Sequence, residues 1–411
     1  MIADIVAAVE PIYKQWYSSS YENMFYRDRP AMGMIAKERA GGEQVKQPIK
    51  IAQGPGQSAT FANAQTNTGL STRRPFLGDW GLDYSLARVS NTLIELSENS
   101  KGAIVKALAD ETESAVDALA QRFEHDMFRS GYGDVGVVSS GQGTPTITLT
   151  LRSDTQNFFP GQVLVAGPAV NSGVLLNAGA TALVSAVDRD AGTVSSAANW
   201  TAQIAGLIAT SVLFQQGDRT SAATPTPLKV VGFAGWLPLV APTGGDNFFG
   251  VDRSLDPVSL AGVRVTGIGK PVSQAIYDLA VRIGENGGAP DVAFVAFDSF
   301  GKLAEELDNR ANYENIQGAG ITILYEAITV SGPKGRIKVF PSTYCPMDRL
   351  FVLTKRDWTI YCGGGSNPMF PSLKGVSLLD VSNADQVEVR HKTLAQLMCA
   401  APGHSGVSQL Q

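Results

Sequence analysis

The sequence predicts an α+β protein on three observations. A long amphipathic helix runs over about Asn99–Ser130, a glycine-rich extended excursion precedes it, and short β-type segments follow it. The helix reads SKGAIVKALADETESAVDALAQRFEHDMFRSG, with Ile104, Leu108, Ala115, Leu119, Phe123 and Met127 apolar. Those steps of four and seven residues keep one stripe on one side. Ser97 or Asn99 suits the N-cap and Gly131 the left-handed stop. At 1.5 Å per residue the rod would be about 45 Å long, more than a compact domain usually needs.

Composition bounds the function. The 411 residues suffice for two or three domains, with 44% hydrophobic and 17% charged residues. So little charge favours surface shared with neighbours. The formal net charge is -5 and no Lys/Arg cluster tracks phosphates, which argues against dedicated nucleic-acid binding. Cys345, Cys362 and Cys399 are widely spaced without a CxxC, so neither a disulfide framework nor a structural zinc site is expected, and a reducing compartment fits. MIADIVAAVEPIYKQW has no basic n-region and does not read as a signal peptide. No run reaches the roughly 18 apolar residues of a membrane span.

Along the chain, residues 1–36 read as an arm: a helix over Ile2–Tyr17, then Tyr21, Phe25 and Tyr26 beside Arg27 and Arg29. It packs on its own domain or lies on a neighbouring subunit; both readings stand. Residues 37–90 hold the excursion. One strand carries Val45, Ile49 and Ile51; the other, WGLDYSLARVS, alternates Leu82, Tyr84, Leu86 and Arg88. Between them lies a polar Gly/Asn/Thr/Ser stretch, so the whole reads as a long two-stranded loop with a polar tip.

Over 132–230 the helical period disappears. TITLTL, QVLVAG, ALVSAV and TSVLF alternate with turns, and Asp188–Gly192 is a hairpin signal. This predicts a small all-β barrel or sandwich inserted in the main domain, left through a Thr220–Pro227 linker. Beyond it, a helix from Pro271 bears Ile276, Leu279 and Ile283 and stops at Gly287–Gly288. A buried-type strand over Asp291–Phe297 leads to a helix capped near Asp298 or Ser299. Strands follow at Ile321–Val330, Arg336–Phe340, Leu350–Thr354 and Trp358–Cys362, and a last long one at Gln386–Cys399.

No constellation of catalytic residues emerges. Gly131, Gly133 and Gly136 match GxGxxG, but a helix enters and β-type sequence leaves, the reverse of a dinucleotide site. His125, His391 and His404 lack an i+3 or i+4 ligand partner, and His125 reads as part of a solvated helix face. Asp110, Glu111, Glu113 and Asp117 also read as a solvated face rather than a paired-carboxylate site. There is no GxSxG elbow, and Asn199-Trp200-Thr201 has no secretory context. No catalytic, cofactor-binding or metal residue is assigned, and the chain reads as a non-enzyme.

The order of parts resembles the major capsid proteins of tailed double-stranded DNA bacteriophages, the Hong Kong 97-type fold. The resemblance implies an N-terminal arm (1–36), an extended loop (37–90) and a spine helix with the peripheral domain (91–131). It further implies an inserted β-domain (132–230), a mainly axial domain (231–370) and a return to the peripheral domain (371–411). GKPVSQAIYDLAVRIGENGG with DVAFVAFDSFGKLAEEL carries the helix–strand–helix of the axial part, and VEVRHKTLAQLMCAAPG the returning strand. The implied function is self-assembly through hexamers and pentamers into an icosahedral shell around the phage genome. Implied partners are further copies of the chain, a separate scaffolding protein, a portal, a decoration protein, and packaged DNA touched without sequence preference. No membrane is implied, and the site would be the virion capsid, assembled in the host cytoplasm. The long charged N-terminal scaffolding segment of some members of that family is not expected here, and the loop tip from Gln53 to Leu70 has no lysine, which argues against loop crosslinking. Within the loop, Phe61, Arg73, Arg74, Phe76 and Trp80 are the expected inter-subunit anchors, being aromatic and arginine residues. Phe76 and Trp80 packing under their own strands is the competing reading. The alternative functions are an encapsulin-like compartment shell and a carbohydrate-active or carbohydrate-binding protein with a β-domain module.

Overall fold

The computed structural model of the chain describes residues 29–92, 107–307, 313–318, 321–364, 368–371, 378–381 and 384–411. Packing separates two units. The larger holds the described residues of 29–84, 119–370 and 392–411, the smaller those of 85–118 and 371–391. The Ile2–Tyr17 helix and the Ser97 and Asn99 caps lie outside the described residues.

The first elements are α1 (Pro30–Met34), β1 (Ala36–Arg39), β2 (Gln44–Ala52), α2 (Phe61–Thr66), β3 (Thr72–Asp79), β4 (Gly81–Ser90) and the long α3 (Ala107–Phe128). Ala31, Met32 and Ile35 are buried in the core of the larger unit, so this end of the arm segment packs on its own chain. Its first turn has no side-chain cap of its own. Instead the Glu124 carboxylate of α3 accepts the backbone N–H of Ala31 (2.9 Å) and of Met32 (2.7 Å). Burial pushes Glu124 up to about 7, against those two hydrogen bonds and the Arg29 and Lys37 charges.

α3 buries Ala115, Leu119, Phe123 and Met127 as the periodicity predicts. The chain turns at Gly131, where φ is +86° and a Cβ would lie 2.9 Å from Val231. His125 departs from the expectation of a solvated face: it is 7% exposed, between buried Glu124 and Asp126. The last turns of α3 run into the core, so its polar side is enclosed too, and its charges are held by partners. Arg122 meets Asp83 at 2.9 Å and Asp218 at 2.8 Å. Lys229 reaches Asp83 (3.1 Å), Asp218 (3.2 Å) and Asp126 (3.6 Å). Arg129 reaches Asp134 (3.3 Å) and Asp154 (2.5 Å). Burial works against the Arg129 charge, but Asp154 and Asp134 outweigh it and hold the guanidinium above its ordinary range. Close approach is strict here. Gly232 lies against the end of α3, where a Cβ would fall 2.2 Å from the Met127 carbonyl.

Next comes a closed six-stranded barrel of β5 (Asp134–Ser140), β6 (Thr146–Leu149), β7 (Val163–Gly167), β8 (Ala182–Asp188), β9 (Thr193–Ser196) and β10 (Val212–Gln215), in the order β10-β5-β6-β9-β8-β7. Its inward positions, among them Val138, Ile147, Leu149, Leu164, Val184, Val194 and Leu213, form a core of their own. Closure leaves no unpaired strand edge. The hairpin at Asp188–Gly192 pairs Asp188 with Thr193, and Gly192 takes φ +72°. Two single turns, α4 (Trp200–Gln203) and α5 (Phe233–Trp236), and the small pair β11 (Asn247–Phe248) and β12 (Val251–Asp252) follow.

The seven-stranded sheet runs β13 (Val263–Thr266), β23 (Gly406–Gln409), β18 (Arg349–Leu353), β14 (Val292–Val295), β17 (Gly335–Pro341), β16 (Ile321–Gly332), β15 (Tyr313–Gly318). On it lie α6 (Val272–Glu285) and α7 (Phe297–Leu307). α6 buries Val272, Ala275, Ile276, Leu279, Ala280 and Ile283 at helical spacing. Pro271 sits one residue ahead of the helix and offers no side-chain oxygen as a cap. Glu306 of α7 caps it, accepting the N–H of Val272 (2.7 Å) and Ser273 (2.8 Å). β23 corrects the reading in which Gln386–Cys399 is the last strand. The final four-residue strand, GVSQ, instead lies between β13 and β18. At that length it shows no period to read.

A second sheet of the larger unit sets β1 parallel to β19 (Trp358–Cys362). β19 is antiparallel to the second half of β22 (Gln386–Cys399), from Trp358↔Cys399 to Cys362↔Ala395. β20 (Met369–Pro371) lies on the other side of β22. An aromatic cluster joins the elements around it: Phe233 stacks on Phe294 at 5.8 Å and meets Phe128 at 5.5 Å and Trp358 at 5.1 Å. In the smaller unit, β21 (Leu378–Asp380) pairs with the first half of β22. There Glu388 is enclosed between Arg88, at 2.6 Å, and Arg390. Hydrogen bonds from Arg88 and then Arg390 hold its carboxyl below the usual range.

Candidate assembly surface

The excursion is a two-stranded ribbon, but its return strand is β3, not the WGLDYSLARVS segment. β2 pairs antiparallel with β3 from Gln44↔Asp79 to Lys50↔Arg73. TRRPFLGD carries no alternation and so escapes a reading based on hydrophobic period. Backbone register makes it a strand. Leu77 donates its N–H away from β2, to the Phe249 carbonyl at 2.8 Å. Lys46/Leu77 is therefore a non-hydrogen-bonded pair, and alternation makes Pro48/Pro75 and Lys50/Arg73 the same kind. Two prolines can face each other there without losing a ladder bond.

The register also assigns faces. Val45, Gln47, Ile49, Arg74, Phe76 and Gly78 share one face; Lys46, Pro48, Lys50, Arg73, Pro75 and Leu77 share the other. Val45 and Phe76 are buried, with Ile49 and Ile51 packed beside the same core. The opposite face carries the exposed Lys46, Lys50 and Arg73. At the tip, α2 buries none of its residues.

The five expected anchors therefore separate. Phe76 is fully enclosed in its own chain, edge-on to Trp236 at 5.0 Å and Phe248 at 6.3 Å, which corrects its placement at a subunit contact. Its parity puts it on the inward face. Trp80 is half-buried and donates its indole N–H to the Gly42 carbonyl at 2.9 Å, tying down the ribbon's base. Phe61, 82% exposed, remains open to a partner, as do exposed Arg73 and Arg74. Sequence reasoning missed Leu70, 95% exposed near the tip, and took the alternation of β4 as loop pairing. Leu82, Tyr84 and Leu86 of β4 instead point to solvent. Their alternation marks a strand but carries no signal of which side faces solvent.

This separation has a direct check. Phe61→Ala is expected to leave unfolding free energy within about 0.5 kcal/mol of wild type. Phe76→Leu should cost about 1–2 kcal/mol by loss of packing in a dense core. Equal effects of the two in denaturant titrations would contradict the assignment of faces.

Other chemistry is sparse. A cleft of about 280 Å³ lies between Ile49–Ile51 and the turn at Pro402–His404, with Asp256 and Asn286 on its wall. His404 Nδ1 is 2.8 Å from Asp357 Oδ2. Among the described residues no group of three His, Cys, Asp or Glu side chains is placed to hold a metal ion. Burial pushes the thiols of Cys345 and Cys399 above the ordinary range, and that of Cys362 up to about 11, so none is activated.

With this geometry, the chain shares its fold with shell-forming capsid subunits. It matches the cyanophage A-1(L) capsid asymmetric unit with a TM-score of 0.55 at 13% identity, covering 97% of each chain. It also matches the capsid of the empty GTA particle (TM-score 0.52, 8% identity, 99% of this chain and 98% of that one). The native GTA capsid gives 0.51 at 8% identity, covering 98% of both. The sequence itself matches no protein-family model and no curated protein. The fold is thus the Hong Kong 97-type fold, at 8–13% sequence identity to the matched capsids.

Proposed function

We propose that the chain is the major capsid protein of a tailed double-stranded DNA phage, a non-enzymatic subunit that self-assembles through hexamers and pentamers into an icosahedral shell. The observation that carries this reading is the match to capsid subunits over nearly the whole of both chains. The β2–β3 ribbon supports it. A polar tip with exposed Phe61 and Leu70 gains little as part of an isolated monomer and suits a neighbour's surface.

In this reading the β2–β3 ribbon within 37–90 is the extended loop, its exposed tip laid on the adjacent subunit, and α3 is the spine helix. The barrel within 132–230 is an inserted domain that stabilises its own subunit or the neighbouring capsomer. The seven-stranded sheet is the axial domain. Scaffolding comes from a separate protein, with a portal and a decoration protein as further partners. A net charge of -5 suits a wall that confines DNA without gripping it. The particle assembles in the host cytoplasm.

Electron microscopy of the purified protein, expressed alone and with its genomic neighbours, tests this. Closed shells or capsomer rings are expected; monodisperse monomers under both conditions would overturn the reading.

A further inference from the structure

One side chain fastens a strap across the outside of the barrel. β7 and β8 are antiparallel neighbours, with Val163 opposite Leu183, yet residues 168–181 connect them where a hairpin needs roughly two to five. Strand alternation turns Leu164, Ala166 and Leu213 inward. The register then sets Val165, Phe214, Val212 and Val137 on the outer face of β7, β10 and β5. Val170 and Leu175 of the strap pack on that face, so Val165, Val212 and Phe214 are buried in a small core separate from the barrel interior.

The polar fastening is concentrated in Arg219. Its guanidinium lies over the Phe214 ring, 4.5 Å from the centroid. Nη1 donates to the Ala169 carbonyl at 2.7 Å, and Nη2 to the Ser172 and Gly173 carbonyls at 2.9 Å each. The Gly173 N–H adds a bond to the Ala223 carbonyl at 3.0 Å. The far end of the strap is strained: Asn177 (φ +46°) and Ala178 (φ +52°) are left-handed without being glycine, a conformation kept only where the surroundings enforce it. Latched at one end and strained at the other, the strap can lift while the ladder of the barrel stays closed. The residue before the latch is anchored on the long helix. Asp218 accepts from Arg122 of α3 at 2.8 Å and meets Lys229 at 3.2 Å. A displacement of that part of α3 therefore pulls on the residue next to Arg219. We propose that residues 168–175 form a lid over the outer β5–β10–β7 face, latched by Arg219 and linked through Asp218 to α3. The inference goes beyond the shell reading and concerns the single subunit, so either can fail without the other.

Thiol labelling tests it in the full-length protein. Val212→Cys places a thiol under the lid, and the buried Cys345, Cys362 and Cys399 report any wider unfolding. The introduced thiol is expected to react with a maleimide about tenfold faster than the native three, because a lid opens at lower cost than the whole subunit. Val165→Cys repeats the reading from the neighbouring strand. Arg219→Lys keeps the charge, but its single nitrogen cannot serve three carbonyls while stacking on Phe214, so labelling under the lid should rise by about another tenfold. Asp218→Asn, which touches no strap residue, should raise it severalfold, with the native thiols unchanged in both variants. Equal rates for introduced and native thiols, or acceleration of all of them alike in Arg219→Lys, would mean that the strap moves only with the whole subunit and would overturn the latch. An unchanged rate in Asp218→Asn would overturn the link to α3.

Discussion

Arg129→Ala is expected to destabilise the unassembled protein by about 3–5 kcal/mol, the cost of leaving buried charges without their partner. Arg129 leaves the end of α3 and enters the start of the barrel, with Asp134 at 3.3 Å and Asp154 at 2.5 Å. All three are buried, at 9%, 6% and 2% exposure. Truncation leaves two carboxylates in low dielectric, where each must shed its charge or remain desolvated. Arg129→Lys should recover only part of the loss, because one ammonium cannot reproduce the guanidinium fork. Chemical denaturation at neutral pH measures the effect, and a double-mutant cycle with Asp154→Asn should be strongly sub-additive. A loss below about 1 kcal/mol would mean that the barrel and helix are joined by apolar packing alone. Their junction would then not depend on this pair.

Parts of this architecture are legible in the sequence because their determinants are local. The apolar spacing of α6 from Val272 to Ile283 is a helix period that burial preserves. The bounds of β19 at Trp358–Cys362 and β22 at Gln386–Cys399 agree with expectation residue for residue. β19 and the second half of β22 pack against the aromatic core. The turn at Asp188–Gly192 is equally local, fixed by a glycine with positive φ.

What stays hidden depends on residues far apart. β3 exists because its backbone completes a ladder with β2, and nothing in TRRPFLGD announces that. β4 has the alternation expected of a half-buried strand, but its apolar side faces solvent. Alternation gives the period of a strand and leaves open which side is inward. The enclosure of His125 cannot be read from helical spacing, since the elements that cover it come from elsewhere in the chain. The same holds for both remote caps. Glu306 serves Val272 and Ser273 over more than thirty residues, and Glu124 serves Ala31 and Met32 over more than ninety. In each case the capped helix lacks a cap side chain of its own, a deficit visible in the sequence without its remedy. The divided set of anchors follows the same logic: Phe76 lies on the inward face of β3, and Phe61 on the exposed tip helix α2.

Glu124 also predicts a pH dependence. Its folded pKa is raised to about 7 against an unfolded value near 4.5, so between these values the native state holds a proton that the unfolded chain has released. Stability must then fall as pH rises through that window. The contribution is fully present below about pH 4.5 and is lost once the pH exceeds about 7. The shift corresponds to about 3 kcal/mol at 1.36 kcal/mol per unit, an upper figure for a group this buried. Two donors from α1 and the Arg29 and Lys37 charges limit the penalty of the charged form, and burial outweighs them. Glu124→Gln cannot ionise. The stability difference between wild type and this variant, measured by denaturant titration from pH 4.5 to 8, should therefore drift against wild type by about 3 kcal/mol. Glu124→Ala separates charge from geometry. It removes the acceptor for both N–H groups and should cost about 1–3 kcal/mol even at pH 5, where the native glutamate is neutral. A flat difference curve for Glu124→Gln would mean that Glu124 reaches water or a stronger cation, and that the Ala31–Met32 turn is held by a permanently charged cap.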